Sequence, residues 1–345
     1  MSAIRLSICI PTYNFGPFIG ETLESIVPQA TDEVEVVVVD GASTDNTKEV
    51  VRSFQARLPN LSYHRLEKKG GIDHDLARTV ALAGGDFCWF LSSDDVLAPG
   101  AIARVLNELI SRHAVYLCTR TECDRSLKPF RVQRWLADDV HDRTFTFGDP
   151  GAFIDYFRQA RSVGALFSYI SSIIVDRARW DRVPFADELE GSNYAHVARL
   201  FTILQQGGTL RYIDEPLVLC RGENDSFASQ EIENRFLIDF RGYELLAEHL
   251  FSDRPLREAF LAVMQREHKW YLFAGLRSHL SWTAWLEFER MLRLHGYARW
   301  KLVIIRFAGA LRPLMAIARS FYRLRRKVMI WAGALVRSTG RRSRS

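Results

Sequence analysis

Three segments of this 345-residue chain place polar or acidic residues directly after an apolar run: Pro11-Thr12-Tyr13-Asn14, Asp40-Gly41-Ala42-Ser43 and Ser92-Ser93-Asp94-Asp95. Neighbouring carboxylates repel unless a cation lies between them, so Asp94-Asp95 point to a divalent ion. Hard oxygen ligands suit Mg²⁺ or Mn²⁺, and such an ion usually holds phosphate. Any one of these aspartates could instead cap a helix or close a turn. All three at the mouth of one crevice favour a phosphate-bearing ligand.

The elements that must position them are legible from pattern. Leu6–Pro11 and the β-branched run Glu35–Val39 are continuous apolar stretches of the kind found in parallel strands buried on both faces. Helical patterns follow each, over Phe18–Ile26 and Asn46–Phe54, the latter opened by Ser43-Thr44-Asp45. A third strand is expected at Leu61–Arg65, a helix at Asp75–Ala83 and a fourth strand at Phe87–Leu91. Strand and helix alternate, which predicts an α/β doubly wound sheet, and ligands of such sheets bind outside the carboxyl ends of the strands. Residues 124–150, with Arg131, Arg134, Trp135, Asp138, Asp139 and Asp142, read as a solvated polar insertion. Helical periodicity returns at Gln230–His249, Arg257–Leu276 and Trp282–Leu294, with many aromatic residues that suit a packed helical appendage.

The segments SICIPTYN at 7–14, VVVVDGASTDNT at 36–47, GGDFCWFLSSDD at 84–95 and GGTLRYIDEPLVLCR at 207–221 resemble the family 2 glycosyltransferases, which have the GT-A fold. GGIDHDLA at 70–77, YAHV at 194–197 and ENDSF at 223–227 are most similar to the abequosyltransferase-type enzymes of O-antigen assembly. The resemblance covers about the first 225 residues. It implies that Pro11, Thr12, Tyr13 and Asp40 hold the base and ribose of a nucleoside-diphosphate sugar. It also implies that Asp95, with Asp94, binds the Mg²⁺ or Mn²⁺ bridging the donor diphosphate. Ser92 stands where the family usually has Asp, and Asp75-Leu76-Ala77 replaces the common Ala-Arg-Asn. Lys68, Lys69, Asp73 and Arg78 are the polar groups left nearby, and Asp73 is the expected further nucleotide contact.

Inverting members carry Glu-Asp about twelve residues before a glycine-containing turn, here Gly207-Gly208. The corresponding residues are Ala195 and His196. Displacement at the anomeric carbon needs a base for the acceptor hydroxyl, and histidine can serve near neutral pH. His196 is the expected base, although it equally suits packing on an amphipathic helix. Glu188 and Glu190, in ADELEGSN, are the alternatives.

Composition supports a globular chain: 48% of residues are hydrophobic and 25% charged, and the five cysteines form no metal-binding or disulfide pattern. No signal peptide is recognised, so a cytoplasmic location is expected. The net charge of +5 conceals a split, because residues 299–345 contain 13 Lys and Arg and no acidic residue, leaving 33 basic against 41 acidic residues before them. The apolar run 302–318 is interrupted by Arg306, Arg312 and Pro313 and is too short to span a bilayer. From Leu314 onward, Arg319, Arg323, Arg326 and Arg337 form one helical face, and Leu314, Ile317, Phe321, Leu324, Val328 and Leu335 the other. That pattern predicts a tail lying on an anionic membrane surface. Nucleic acid is not expected, since the apolar face would have nothing to bury against.

The expected organisation is a GT-A domain over 1–225, a helical appendage over 226–298 and a basic amphipathic tail over 299–345. The expected activity is inverting transfer of a sugar to a hydroxyl of a lipid-linked glycan at the inner membrane face. A sugar nucleotidyltransferase would need a glycine-rich basic loop after the first strand, which PTYNFGPF lacks. A membrane-associated binding protein that has lost its base is the non-enzymatic alternative.

Overall fold

The computed structural model describes residues 3–224, 232–277 and 280–308. Among the described residues ten strands form one mixed sheet: β1 (Leu6–Thr12), β2 (Val34–Asp40), β3 (Leu61–Arg65), β4 (Phe87–Phe90), β5 (Val96–Leu97), β6 (Val115–Cys123), β7 (Pro129–Gln133), β8 (Thr144–Thr146), β9 (Ile173–Asp176) and β10 (Thr209–Arg221). The main order is β3-β2-β1-β4-β9-β6-β10-β5, with β7 on β6 and β8 on β10. The first four strands are parallel, as the apolar runs predict, and β1 and β2 are in register so that Thr12 lies beside Asp40. Every residue of β1 is buried, and Val36–Val39 of β2 are buried too, which is what a two-sided sheet demands. Strand β9 then runs antiparallel to both β4 and β6, making the second half mixed.

Helices α1 (Gly16–Ile26), α2 (Thr47–Ser53), α3 (Ile72–Leu82) and α4 (Ala101–Glu108) belong to the first half. Helices α5 (Pro150–Gln159), α6 (Arg177–Arg182) and α7 (Ala195–Gln205) pack on the second. The solvated insertion expected at 124–150 is instead partly built into the sheet. Strand β7 pairs with β6 and β8 with β10, and Trp135 is buried with its indole N–H donating to the Cys118 carbonyl at 2.6 Å.

The C-terminal region comprises α8 (Ile232–Leu250), α9 (Arg254–Leu261), α10 (Met264–Glu267), α11 (Leu272–Arg277), α12 (Trp282–Leu294) and α13 (Arg299–Ala308). The single helix expected at Arg257–Leu276 is three short ones. Backbone at His268 is extended, and the Tyr297 hydroxyl donates to its carbonyl at 2.5 Å, so that carbonyl is held outside any helical ladder. One apolar cluster runs from Phe157 and Phe201 through Phe240 and Phe260 to Trp285 and Phe288. Leu302 and Ile305 of α13 are buried in it, whereas Trp300, Val303, Ile304 and Phe307 are exposed. The tail faces expected from Leu314 onward lie outside the described residues, and among the described residues no helix is long and apolar enough to cross a membrane.

Candidate active site

The loops after β1 and β2 are one interlocked structure. Asn14 N–H donates to Ser43 Oγ at 2.8 Å, and Asn14 Oδ1 accepts the Thr44 N–H at 2.7 Å. Phe15 N–H donates to Thr47 Oγ1 at 3.2 Å and Gly16 N–H to Asp45 Oδ2 at 3.0 Å. The motifs PTYN and DGASTDNT therefore depend on each other. Ala42, in this loop, is held at φ 67°, a left-handed conformation disfavoured for a residue with a Cβ.

Asp40 is fully buried at the end of β2. Its Oδ1 accepts the Ser43 N–H at 2.7 Å and its Oδ2 the Tyr63 hydroxyl at 2.5 Å. Burial and this carboxylate push the Tyr63 phenol well above its usual pKa, so it stays a donor. Thr12 Oγ1, beside Asp40 across the β1–β2 pair, is buried without a partner, and Tyr13 carries the Lys69 ammonium 4.1 Å over its ring.

The two carboxylates after β4 differ. Asp95 Oδ2 accepts the hydroxyls of Tyr169 and Ser171, both at 2.6 Å, and its Oδ1 the Arg221 N–H at 3.2 Å. Burial, with the Asp94 charge beside it, pushes the Asp95 carboxyl above the usual carboxylate range. Asp94 accepts from Ser92 Oγ at 2.5 Å and from the Asn224 side-chain amide at 2.9 Å. Arg221, at the end of β10, braces the pair, because its guanidinium donates to the Asp94 carbonyl at 3.0 Å, the Arg125 carbonyl at 2.7 Å and Glu21 at 2.9 Å. Among the described residues no group of three or more His, Cys, Asp and Glu could hold a metal ion. Asp94 alone still suits an ion that takes its remaining ligands from a diphosphate and water, as Mg²⁺ does.

The residues after Ile72 separate in the same way. Asp73 Oδ2 accepts the N–H groups of Gly191 and Asn193, and its Oδ1 that of Ala195, each at 3.0 Å. The carboxylate thus ties α3 to the start of α7.

A family model described as glycosyl transferase family 2 matches residues 7–167. The abequosyltransferase RfbV of Salmonella typhimurium is 36% identical over 272 residues, 77% of this chain and 81% of that protein. The chain belongs to glycosyltransferase family 2. The crystal structure of Staphylococcus aureus TarS 1–349 in complex with UDP superposes with a TM-score of 0.61 at 17% identity, covering 90% of this chain and 92% of that one. The mannosyltransferase PcManGT from Pyrobaculum calidifontis, in complex with GDP-Man and Mn²⁺, gives 0.51 at 19% identity over 91% and 88%. These likenesses establish the GT-A fold.

In this glycosyltransferase His196 is the second residue of α7 and is buried, with Nε2 3.0 Å from the Phe167 carbonyl. Nε2 must carry the proton to make that bond, which leaves Nδ1 with the lone pair. Burial also holds the imidazole below its usual pKa. Phe167 itself sits at φ 62°, a strained conformation for a bulky residue. His196 lines a cavity of about 300 Å³ with Asp73, Trp180, Phe185, Glu188 and Arg199. Glu188 pairs with His249 at 2.9 Å, and Glu190 lies 3.7 Å from His74 of α3; both glutamates are exposed. A groove of about 470 Å³ between residues 188–192 and α8 adjoins them.

Sequence reading missed the residues that hold the acidic pair: Tyr169, Ser171, Arg221 and Asn224. Arg221 and Asn224 lie in motifs that carry the family resemblance, which was the available signal. Nothing local marks Tyr169 or Ser171, whose role arises because the residues just before β9 return beside the end of β4.

Proposed function

We propose that this protein is an inverting glycosyltransferase that moves a sugar from a nucleoside diphosphate to a hydroxyl of a cell-surface glycan of the O-antigen type. The observation that carries this reading is that Thr12-Tyr13, Asp40 and Asp94 all stand at or just after the carboxyl ends of three adjacent parallel strands. The extended similarity to an abequosyltransferase supports the substrate class.

In this reading Asp40, Thr12 and Tyr13 receive the nucleoside, with Pro11 shaping the turn beneath it. Asp94 would be the protein's ligand to Mg²⁺ or Mn²⁺, and Asp95 the positioning residue behind it, since Asp95 is the more deeply buried and accepts three hydrogen bonds, from Tyr169, Ser171 and Arg221, against two on Asp94, from Ser92 and Asn224. The bound ion would supply Lewis-acid stabilisation of charge on the departing diphosphate. His196, neutral and with Nδ1 free to accept, takes the proton from the acceptor hydroxyl as that oxygen attacks the anomeric carbon from the face opposite the leaving group. Trp180 and Phe185 in the adjoining cavity suit the apolar face of a sugar ring, with Arg199 and Glu188 offering polar contacts. Asp73 acts through the position of α7 rather than on the nucleotide. The basic C-terminal residues, preceded by exposed Trp300 and Phe307, favour contact with an anionic membrane surface where a lipid-linked acceptor would lie.

The test is release of nucleoside diphosphate from a panel of CDP-, GDP-, UDP- and dTDP-sugars with membranes carrying lipid-linked glycan and Mn²⁺. Acceptor-dependent release supports the reading. Nucleotide binding with no transfer to any acceptor would mark a binding protein instead.

A further inference from the structure

Asp75 has no part in the roles assigned above. It lies in the first turn of α3, two residues after Asp73, and is only 4% exposed. Its Oδ1 is buried without a hydrogen-bond partner. The carboxyl group rests against two backbones that lack side chains: a Cβ on Gly41 would stand 2.7 Å from Oδ2, and one on Gly70 2.7 Å from Oδ1. Gly41 follows Asp40 and donates its N–H to the Thr12 carbonyl at 2.9 Å. Asp75 therefore sits against the Gly41 and Gly70 backbones, next to the end of β2.

Burial disfavours the charged form of a carboxyl group in this setting. Burial pushes its pKa up to about 6; His74, Lys69 and the nearby Gly70 N–H favour the ionised form, and Asp40 opposes it. Asp73, on the same helical turn, repays its burial with three backbone N–H groups, whereas Asp75 has only the Gly70 N–H beside it. Groups left unsatisfied at a crevice commonly find their partner in the ligand.

Resting on the donor site proposed above, we infer that Asp75 reads the base of the donor nucleotide and selects one whose edge carries an exocyclic amino group. An ionised carboxylate only accepts hydrogen bonds. Cytosine, guanine and adenine each present amino N–H donors. Uracil and thymine present one N–H between two carbonyl oxygens, and those oxygens would face the lone pairs of a second carboxyl group beside Asp40. A site built to bind an N–H group discriminates strongly against an analogue that lacks it, because its own polar group is then left unpaired.

The experiment is calorimetric titration of the full chain at pH 7.5, with Mn²⁺, by CDP, GDP, ADP, UDP and dTDP, alongside thermal melting of the free protein, for wild type, Asp75→Asn and Asp75→Ala. The expected result is that an amino-bearing nucleotide binds wild type at least about tenfold more tightly than UDP or dTDP. Asp75→Asn narrows that preference to about threefold or less while the free protein melts at the same temperature or higher. Tightest wild-type binding of UDP or dTDP, or an unchanged preference in both variants, overturns the inference and leaves the donor site standing. Clearly lower melting of both variants with preference intact assigns Asp75 a structural role and also overturns it. Failure of every nucleotide to bind wild type overturns the donor-site reading itself.

Discussion

Asp73 and Ala195 are 122 positions apart in sequence, yet Asp73 Oδ1 accepts the Ala195 N–H at 3.0 Å. That N–H belongs to the first turn of α7, where the unpaired donors of a helix favour a negative charge. The bond fixes the turn that carries His196 against the helix that carries Asp75, so the proposed base-binding and acceptor sides of the site share one support.

Asp73→Ala should destabilise the fold by about 2–4 kcal/mol, because three N–H groups, that of Ala195 buried, lose their acceptor. Urea unfolding measures this. Nucleoside-diphosphate affinity of the folded variant should stay within about twofold of wild type; loss of affinity with unchanged stability would return Asp73 to the nucleotide.

Asp94 and Asp95 should separate under substitution. Asp94→Ala is expected to abolish the gain in nucleotide affinity on adding Mn²⁺ with little change in melting temperature. Asp95→Ala should instead lower melting by several degrees, since the Tyr169 and Ser171 hydroxyls lose their acceptor. Calorimetry with and without Mn²⁺, paired with thermal melts, decides it. The reverse pattern would make Asp95 the principal ligand.

His196→Ala should cut turnover by about 10²–10⁴-fold while donor affinity is nearly unchanged, as expected for a positioned general base. Steady-state rates with saturating donor provide the measurement. Near-normal turnover would move the role to Glu188 or Glu190.

Ala42→Gly should stabilise the protein by up to about 1 kcal/mol, because glycine occupies the left-handed region without the Cβ clash that φ 67° imposes on alanine. Glycine's greater freedom in the unfolded chain offsets part of that gain. Differential scanning calorimetry is the check, and a lower melting temperature would contradict the strain.

Much of the scaffold was legible because its signals are local. Val36–Val39 can only be a strand buried on both faces, and Trp282–Leu294 shows the helical period that the fold displays over the same residues. The break between α10 and α11 was not legible, since at His268 the chain is extended and its carbonyl is taken by Tyr297 from beyond α12.

By itself the sequence determined that polar residues follow β1, β2 and β4, because an apolar run followed by a turn is written in consecutive residues. It did not distinguish Asp73 from Asp75, or Asp94 from Asp95, which are chemically identical and two or fewer positions apart. Tertiary structure decided these pairs by delivering partners from afar: the amides of 191–195 to Asp73, and Tyr169, Ser171 and Arg221 to Asp95. A carboxylate's role is set by which of its lone pairs the fold has already filled, and the donors that fill them lie roughly 75 to 125 residues away along the chain.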